Sequence, residues 1–93
     1  MASEKLLEKK LREGVKKLGG EAIKFFCPTF TGLPDRIILM PGGRVYFAEM
    51  KTTGEKPSPR QEVVHKWLRG LGFTVWVIDD YPMLTFVMLE IQK

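Results

Sequence analysis

Apolar residues recur at Leu7, Leu11, Val15 and Leu18, spaced four, four and three apart, which is the stripe of an amphipathic helix. Ser3 supplies a hydroxyl N-cap and Gly19-Gly20 a stop. Glu4, Glu8, Lys9, Lys10, Arg12, Lys16 and Lys17 fall on the remaining, solvated faces. The period then changes. Ala22 to Phe26 reads as a strand, Cys27 to Leu33 as a loop bearing Pro, Thr and Gly, and Asp35 to Met40 as an apolar strand. Pro41-Gly42-Gly43 connects it to Arg44 to Lys51, which predicts an antiparallel hairpin. After a polar loop, Thr52 to Pro57, Ser58-Pro59 starts a second helix that runs to about Leu71 before Gly72. Its buried face is expected to hold Val63 or Val64, Trp67, Leu68 and Leu71. Phe73 to Ile78 is β-branched and aromatic, a strand returning beside the hairpin with the helix as crossover. Met83 to Ile91 carries both signals: its composition favours strand, while Leu84, Val87, Met88 and Ile91 fit helical spacing, and helix is the reading taken. The predicted order is α-β-β-β-α-β, an α/β fold with a mixed sheet flanked by helices.

Length and charge narrow this picture. At 93 residues and 44% hydrophobic content the chain suits one core, so residues 1–93 are expected to form a single domain. A short chain encloses a deep site poorly, which a second copy would ease. The net charge of +4, from 15 Lys and Arg against 11 Asp and Glu, leans toward a polyanionic partner. A single cysteine, Cys27, excludes an internal disulfide, and no Cys/His cluster has zinc spacing. No signal-peptide core and no run of about 20 apolar residues is visible, so a soluble, cytoplasmic protein away from membranes is expected.

The candidate chemistry lies in the hairpin. Alternation along Glu49-Met50-Lys51 puts Glu49 and Lys51 on one strand face and Met50 on the other. Asp35 opens the neighbouring strand, so its carboxylate can converge on Glu49. Apolar flanks, Ile37 to Leu39 and Val45 to Ala48, imply burial, and buried charge must be paired or bound to metal. By itself Glu-x-Lys is a frequent chance pattern that a structural ion pair accounts for.

The wider constellation carries more. Gly32-Leu33-Pro34-Asp35, the hairpin, Glu49-Met50-Lys51, and then Ser58-Pro59-Arg60-Gln61 at a helix start resemble the PD-(D/E)xK nucleases, among them the virus-type replication-repair nuclease domain. The resemblance implies a restriction-endonuclease-like core and hydrolysis of DNA phosphodiester bonds. It implies that Asp35 and Glu49 bind Mg²⁺ or Mn²⁺ with the backbone carbonyl of Met50, and that Lys51 orients water and stabilises developing charge. Gln61 would hold the lysine or the water, and Glu8 would be the acidic residue of the first helix, with Glu4 its competitor one turn earlier. Stand-alone members of this family act as homodimers on branched DNA, which makes four-way junctions the leading substrate. A flap-, single-strand- or end-acting nuclease would use the same residues, and a catalytically silent DNA-binding module is the rival of another class.

Lys24, Arg36, Lys56 and Arg60 cluster in sequence around these motifs and are candidate phosphate contacts. His65, one turn beyond Gln61, is expected at the surface, and Cys27 as a half-buried loop residue. No helix-turn-helix, zinc finger or aromatic stacking platform is apparent, so shape and backbone contacts should dominate DNA recognition.

Overall fold

A computed structural model describes residues 2–93. The elements run α1 (Glu4–Lys17), β1 (Glu21–Lys24), β2 (Arg36–Met40), β3 (Arg44–Met50), α2 (Pro59–Gly70), β4 (Val75–Ile78) and α3 (Tyr81–Glu90). The predicted order holds, each boundary lies within a few residues of expectation, and the tail is helical. The strands form one sheet in the order β1-β2-β3-β4. β1 with β2 and β2 with β3 are antiparallel, whereas β3 and β4 are parallel. That last pairing requires a crossover, and α2 supplies it.

Strand alternation sorts the hairpin into two faces. Ile38 and Met40 of β2, with Ala48 and Met50 of β3, join Leu7, Leu11 and Val15 of α1 and Leu84, Val87 and Ile91 of α3 in the larger core. Tyr46 and Trp76 stack beside it with centroids 5.1 Å apart. On the opposite face Val64 and Leu68 of α2 bury against Val75, flanked by Leu33 and Phe47. The sheet is thus covered by α1 and α3 on one side and by α2 on the other. Glu49 points to the α2 side, because it is one residue out of phase with Ala48 and Met50.

Three expectations about burial are corrected. On α2, Val64, of the two valines, and Leu68 face inward as expected, but Trp67 and Leu71 are exposed. His65 is 1% exposed, not a surface residue. Arg36 is buried on the α1 side of the sheet, where its Nη1 donates to the Ala22 carbonyl at 3.2 Å and its Nη2 lies 3.5 Å from Glu8 Oε1. Its guanidinium is engaged inside the protein and is not presented at the surface, where a phosphate contact would need it. Among the described residues, no helix is long and apolar enough to cross a membrane.

The turn from α1 to β1 depends on a close approach of backbones. A Cβ at Gly20 would run into the Leu39 carbonyl oxygen and stand 2.6 Å from Met40 Sδ. Because the first obstacle is backbone within the sheet, it cannot step aside. Gly20→Ala is therefore expected to destabilise the fold by about 1–3 kcal/mol, read as a lower urea midpoint, whereas Gly42→Ala, whose Cβ meets nothing within 4 Å, should cost less despite its positive φ.

Candidate active site

The β2–β3 ladder ends with Arg36 opposite Ala48. One step further out, Asp35 and Glu49 face each other at the mouth of the hairpin. Asp35 is anchored there because its Oδ1 accepts the Met50 N–H at 3.1 Å. Buried Pro34 precedes it, and the Asp35 carbonyl accepts Phe25 N–H at 3.1 Å, tying it to the end of β1 as well. Glu49 is 3% exposed. Lys51 Nζ lies 3.7 Å from Glu49 Oε2.

Helix α2 reaches this carboxylate through its first turn. The Ser58 side chain accepts Gln61 N–H at 3.2 Å, and Gln61 Oε1 accepts Ser58 N–H at 2.9 Å, a reciprocal capping box. This fixes the amide orientation, so Gln61 Nε2 points outward as a donor, and it donates to Glu49 Oε2 at 3.2 Å. Gln61 thus holds the carboxylate itself, where the sequence suggested the lysine or a water. Asp35, Glu49 and Gln61 line a cavity of about 240 Å³ whose other wall is the Phe25–Pro34 loop, including Phe25, Phe26 and Phe30.

The electrostatics follow from burial. Desolvation, and next the Asp35 charge, push Glu49 up from its ordinary 4.5 to about 7, against the opposing pull of Lys51. Desolvation also raises Asp35, with the Met50 N–H bond opposing it and the charges of Glu8 and Glu4 adding to it. Glu8 stands apart from the cavity, paired with Arg36 across the sheet, and acts on Asp35 through its field; Glu4 acts in the same sense more weakly. His65 lies inside α2 with Nε2 3.9 Å from Glu49 Oε1. Desolvation, then the Arg69 and Lys51 charges, lower its pKa, so it is neutral at neutral pH. Its spacing of four from Gln61 is visible in the sequence and makes a contact at the site conceivable, but the surface position preferred there is wrong.

Of the basic candidates, Lys24, Lys56 and Arg60 are exposed. Arg60 Nε donates to the Thr31 carbonyl at 3.2 Å, and its guanidinium sits 5.7 Å from the Phe30 ring centroid. Cys27 is half-buried as expected.

A mixed sheet between helices, with paired carboxylates and a lysine at the mouth of its central hairpin, is the architecture of the PD-(D/E)xK nuclease superfamily. No protein-family model matches the chain. It is 45% identical over 77 residues to a protein of Acyrthosiphon pisum secondary endosymbiont phage 1 named "Putative nuclease p44", covering 83% of each chain. A solved structure described as a VRR_NUC domain matches with a TM-score of 0.85 at 27% identity, over 95% of this chain and 97% of that one. The chain belongs to the virus-type replication-repair nuclease, or VRR-NUC, family.

The raised Glu49 pKa carries a linkage with a definite sign. The folded state holds this proton more tightly than the unfolded chain, so the contribution to stability is full below pH 4.5, declines as pH rises and is lost above about pH 7. Its ceiling is on the order of 3 kcal/mol. Asp35 acts in the same direction and His65 in the opposite one below its ordinary value, so the comparison with Glu49→Gln isolates Glu49. In EDTA, urea unfolding at pH 5 and pH 8 should show Glu49→Gln gaining stability relative to wild type at the higher pH. An equal difference between the two proteins at both pH values would sink the reading.

Proposed function

We propose that the protein is a divalent-metal-dependent DNA endonuclease whose site is Asp35, Glu49, Lys51 and Gln61. The observation that carries this is the state of Glu49: buried beside a second carboxylate, with Oε1 accepting no hydrogen bond among the described residues. Two desolvated carboxylates side by side, with a single lysine against them, call for a further cation. The donor set suits a hard one such as Mg²⁺ or Mn²⁺. Among the described residues there is no cluster of three or more His, Cys, Asp or Glu side chains fit to hold a metal. A cation here would be held by two carboxylates only, Asp35 and Glu49, with the Met50 backbone carbonyl and water in the remaining positions. When bound, such a cation supplies Lewis acidity toward the scissile phosphate and acidifies water.

The other residues have distinct tasks in this reading. Lys51 offers an ammonium to orient the attacking water and to offset charge developing on the phosphate. Gln61 keeps the Glu49 carboxylate in one orientation. Glu8 contributes through its charge on Asp35. Exposed Lys24, Lys56 and Arg60 are available to phosphates of a bound strand.

Four-way junctions are the proposed substrate and a homodimer the proposed active form, because two symmetric strands then meet two sites. Two apolar surfaces support pairing: on α3, Leu84, Val87 and Ile91 are buried in the core while Phe86 and Leu89 are exposed. The one taken as the interface is the outer face of α2 and its surroundings, where Phe30, Val63, Trp67, Leu71 and Phe73 are exposed side by side, the kind of contiguous apolar patch that marks an association surface.

Cleavage of labelled linear duplex, single-stranded, flap and four-way junction DNA, with Mg²⁺ or Mn²⁺ and with EDTA, tests the activity. Asp35→Asn and Glu49→Gln should each lower cleavage by about 100-fold or more while DNA binding persists, and Lys51→Ala should do so with metal binding retained. Wild-type rates in either carboxylate variant would show the site misplaced; cleavage of all four DNAs alike would remove the junction preference.

Substituting Lys56 and Arg60 together should flatten the salt dependence of metal-free DNA binding by about one to two counterions. An affinity insensitive to salt in the wild type would count against phosphate reading.

Light scattering at micromolar concentration tests the assembly. The wild type should have twice the 10.7 kDa chain mass, and Trp67→Glu should return it to monomer with its fold intact. A monomeric wild type overturns the dimer.

A further inference from the structure

His65 and Glu49 present two unpaired atoms to each other. His65 Nε2 faces Glu49 Oε1 across 3.9 Å, beyond hydrogen-bond range. Neither atom has a hydrogen-bond partner among the described residues. Their side chains are 1% and 4% exposed, so no bulk water reaches the gap to compensate. The surrounding groups are already engaged. Glu49 Oε2 accepts from Gln61 Nε2 and faces Lys51 Nζ, and Gln61 Oε1 is taken by Ser58 N–H. What remains is one potential donor and one acceptor, chemically complementary, on side chains that need to close by about 1 Å to reach hydrogen-bond distance.

We propose that His65 is a positioning residue for Glu49: its Nε2–H donates to Oε1 as Gln61 donates to Oε2, so that two donors one turn apart on α2 hold both oxygens of the carboxylate in the orientation that presents it, with Asp35, to the cation. The inference rests on the metal-site reading above. An imidazole protonated at Nε2 donates in either charge state, so the contact requires no titration of the ring. The donors come from a helix that is itself locked by its capping box and by Val64 and Leu68, which makes the carboxylate's orientation a property of α2's placement. Partners of this kind, which touch a ligand rather than the metal, typically govern metal affinity by 10- to 100-fold.

The test compares wild type, His65→Phe and His65→Gln, the second of which keeps an N–H at similar reach. Mn²⁺ affinity is read from the electron paramagnetic resonance signal of free Mn²⁺, and metal-free stability from melting in EDTA. His65→Phe should weaken Mn²⁺ binding by about 10-fold without a matching loss of metal-free melting temperature, and His65→Gln should recover most of the affinity. In wild-type protein labelled with ¹⁵N-histidine, Nε2 should carry the proton. An unprotonated Nε2 overturns the proposal whatever the variants do, including a His65→Phe that fails to fold. So does Mn²⁺ affinity within twofold of wild type in His65→Phe, failure of His65→Gln to recover it, or parallel loss of melting temperature and affinity in both variants. Nitrogen coupling to bound Mn²⁺ from this ring would make His65 a ligand and equally overturn the positioning role. A wild type that binds no Mn²⁺, or binds it equally well after Asp35→Asn, overturns the metal-site reading and the proposal together.

Discussion

The structure is organised around one costly act, the burial of the Glu49 carboxylate at the end of β3. A charge taken out of water there pushes its own pKa to about 7, and the same low-dielectric setting strengthens every contact made with it. Two neighbouring groups answer that cost in part. Lys51 offers charge at 3.7 Å and Gln61 a hydrogen bond at 3.2 Å. Asp35 adds to the cost, because a second carboxylate beside the first disfavours ionisation of both. A fold that only needed a stable sheet end would place an apolar residue at position 49. The site keeps two acids together at a price in stability that a cation is suited to offset.

The backbone makes this arrangement possible. The hairpin register sets Asp35 opposite Glu49, and the Met50 N–H holds Asp35 in place. The parallel pairing of β3 with β4 demands a crossover on one face of the sheet, and that crossover is α2. Its N-terminal turn is the part that meets Glu49. The capping box there serves two ends at once, since the side chain that closes the helix start through its oxygen holds the Glu49 carboxylate through its nitrogen. Capping and site geometry are therefore not separable at Gln61.

Local signals made much of this legible in sequence. Ser3, Ser58-Pro59, the glycine stops and the Pro41-Gly42-Gly43 connection mark ends of elements through backbone chemistry that acts within a few residues, and alternation alone puts Glu49 on the face opposite Met50. The errors lie where a side chain's environment comes from distant elements. α2 has apolar residues around much of its circumference, and its phase against the sheet is decided by Leu33, Phe47 and Val75, none of which lies on the helix; Val64 went in and Trp67 stayed out. Arg36 next to Asp35 looks like a phosphate contact in a linear reading. Strand alternation sends it to the other face, toward Glu8. His65 was misplaced for the same reason as Trp67, by a phase that the helix's own pattern leaves open.

That phase gives α2 three faces with separate duties. Val64 and Leu68 fix the helix on the sheet, Gln61 and His65 face Glu49, and Val63, Trp67 and Leu71 look outward. A change on the outward face alters what the surface can associate with and leaves the contacts to Glu49 in place. A change at Val64 or Leu68 shifts the helix on its bed, and the groups that touch the carboxylate shift with it. In interiors packed as densely as this one, a cavity or an overfilled contact is relieved by moving neighbours. Small displacements of α2 are therefore expected to reach Glu49 first, because its two oxygens lie within 4 Å of side chains carried on that single helix. The coupling of core packing to site geometry runs through one element, α2, whose buried residues and whose contacts to Glu49 lie within two turns of each other.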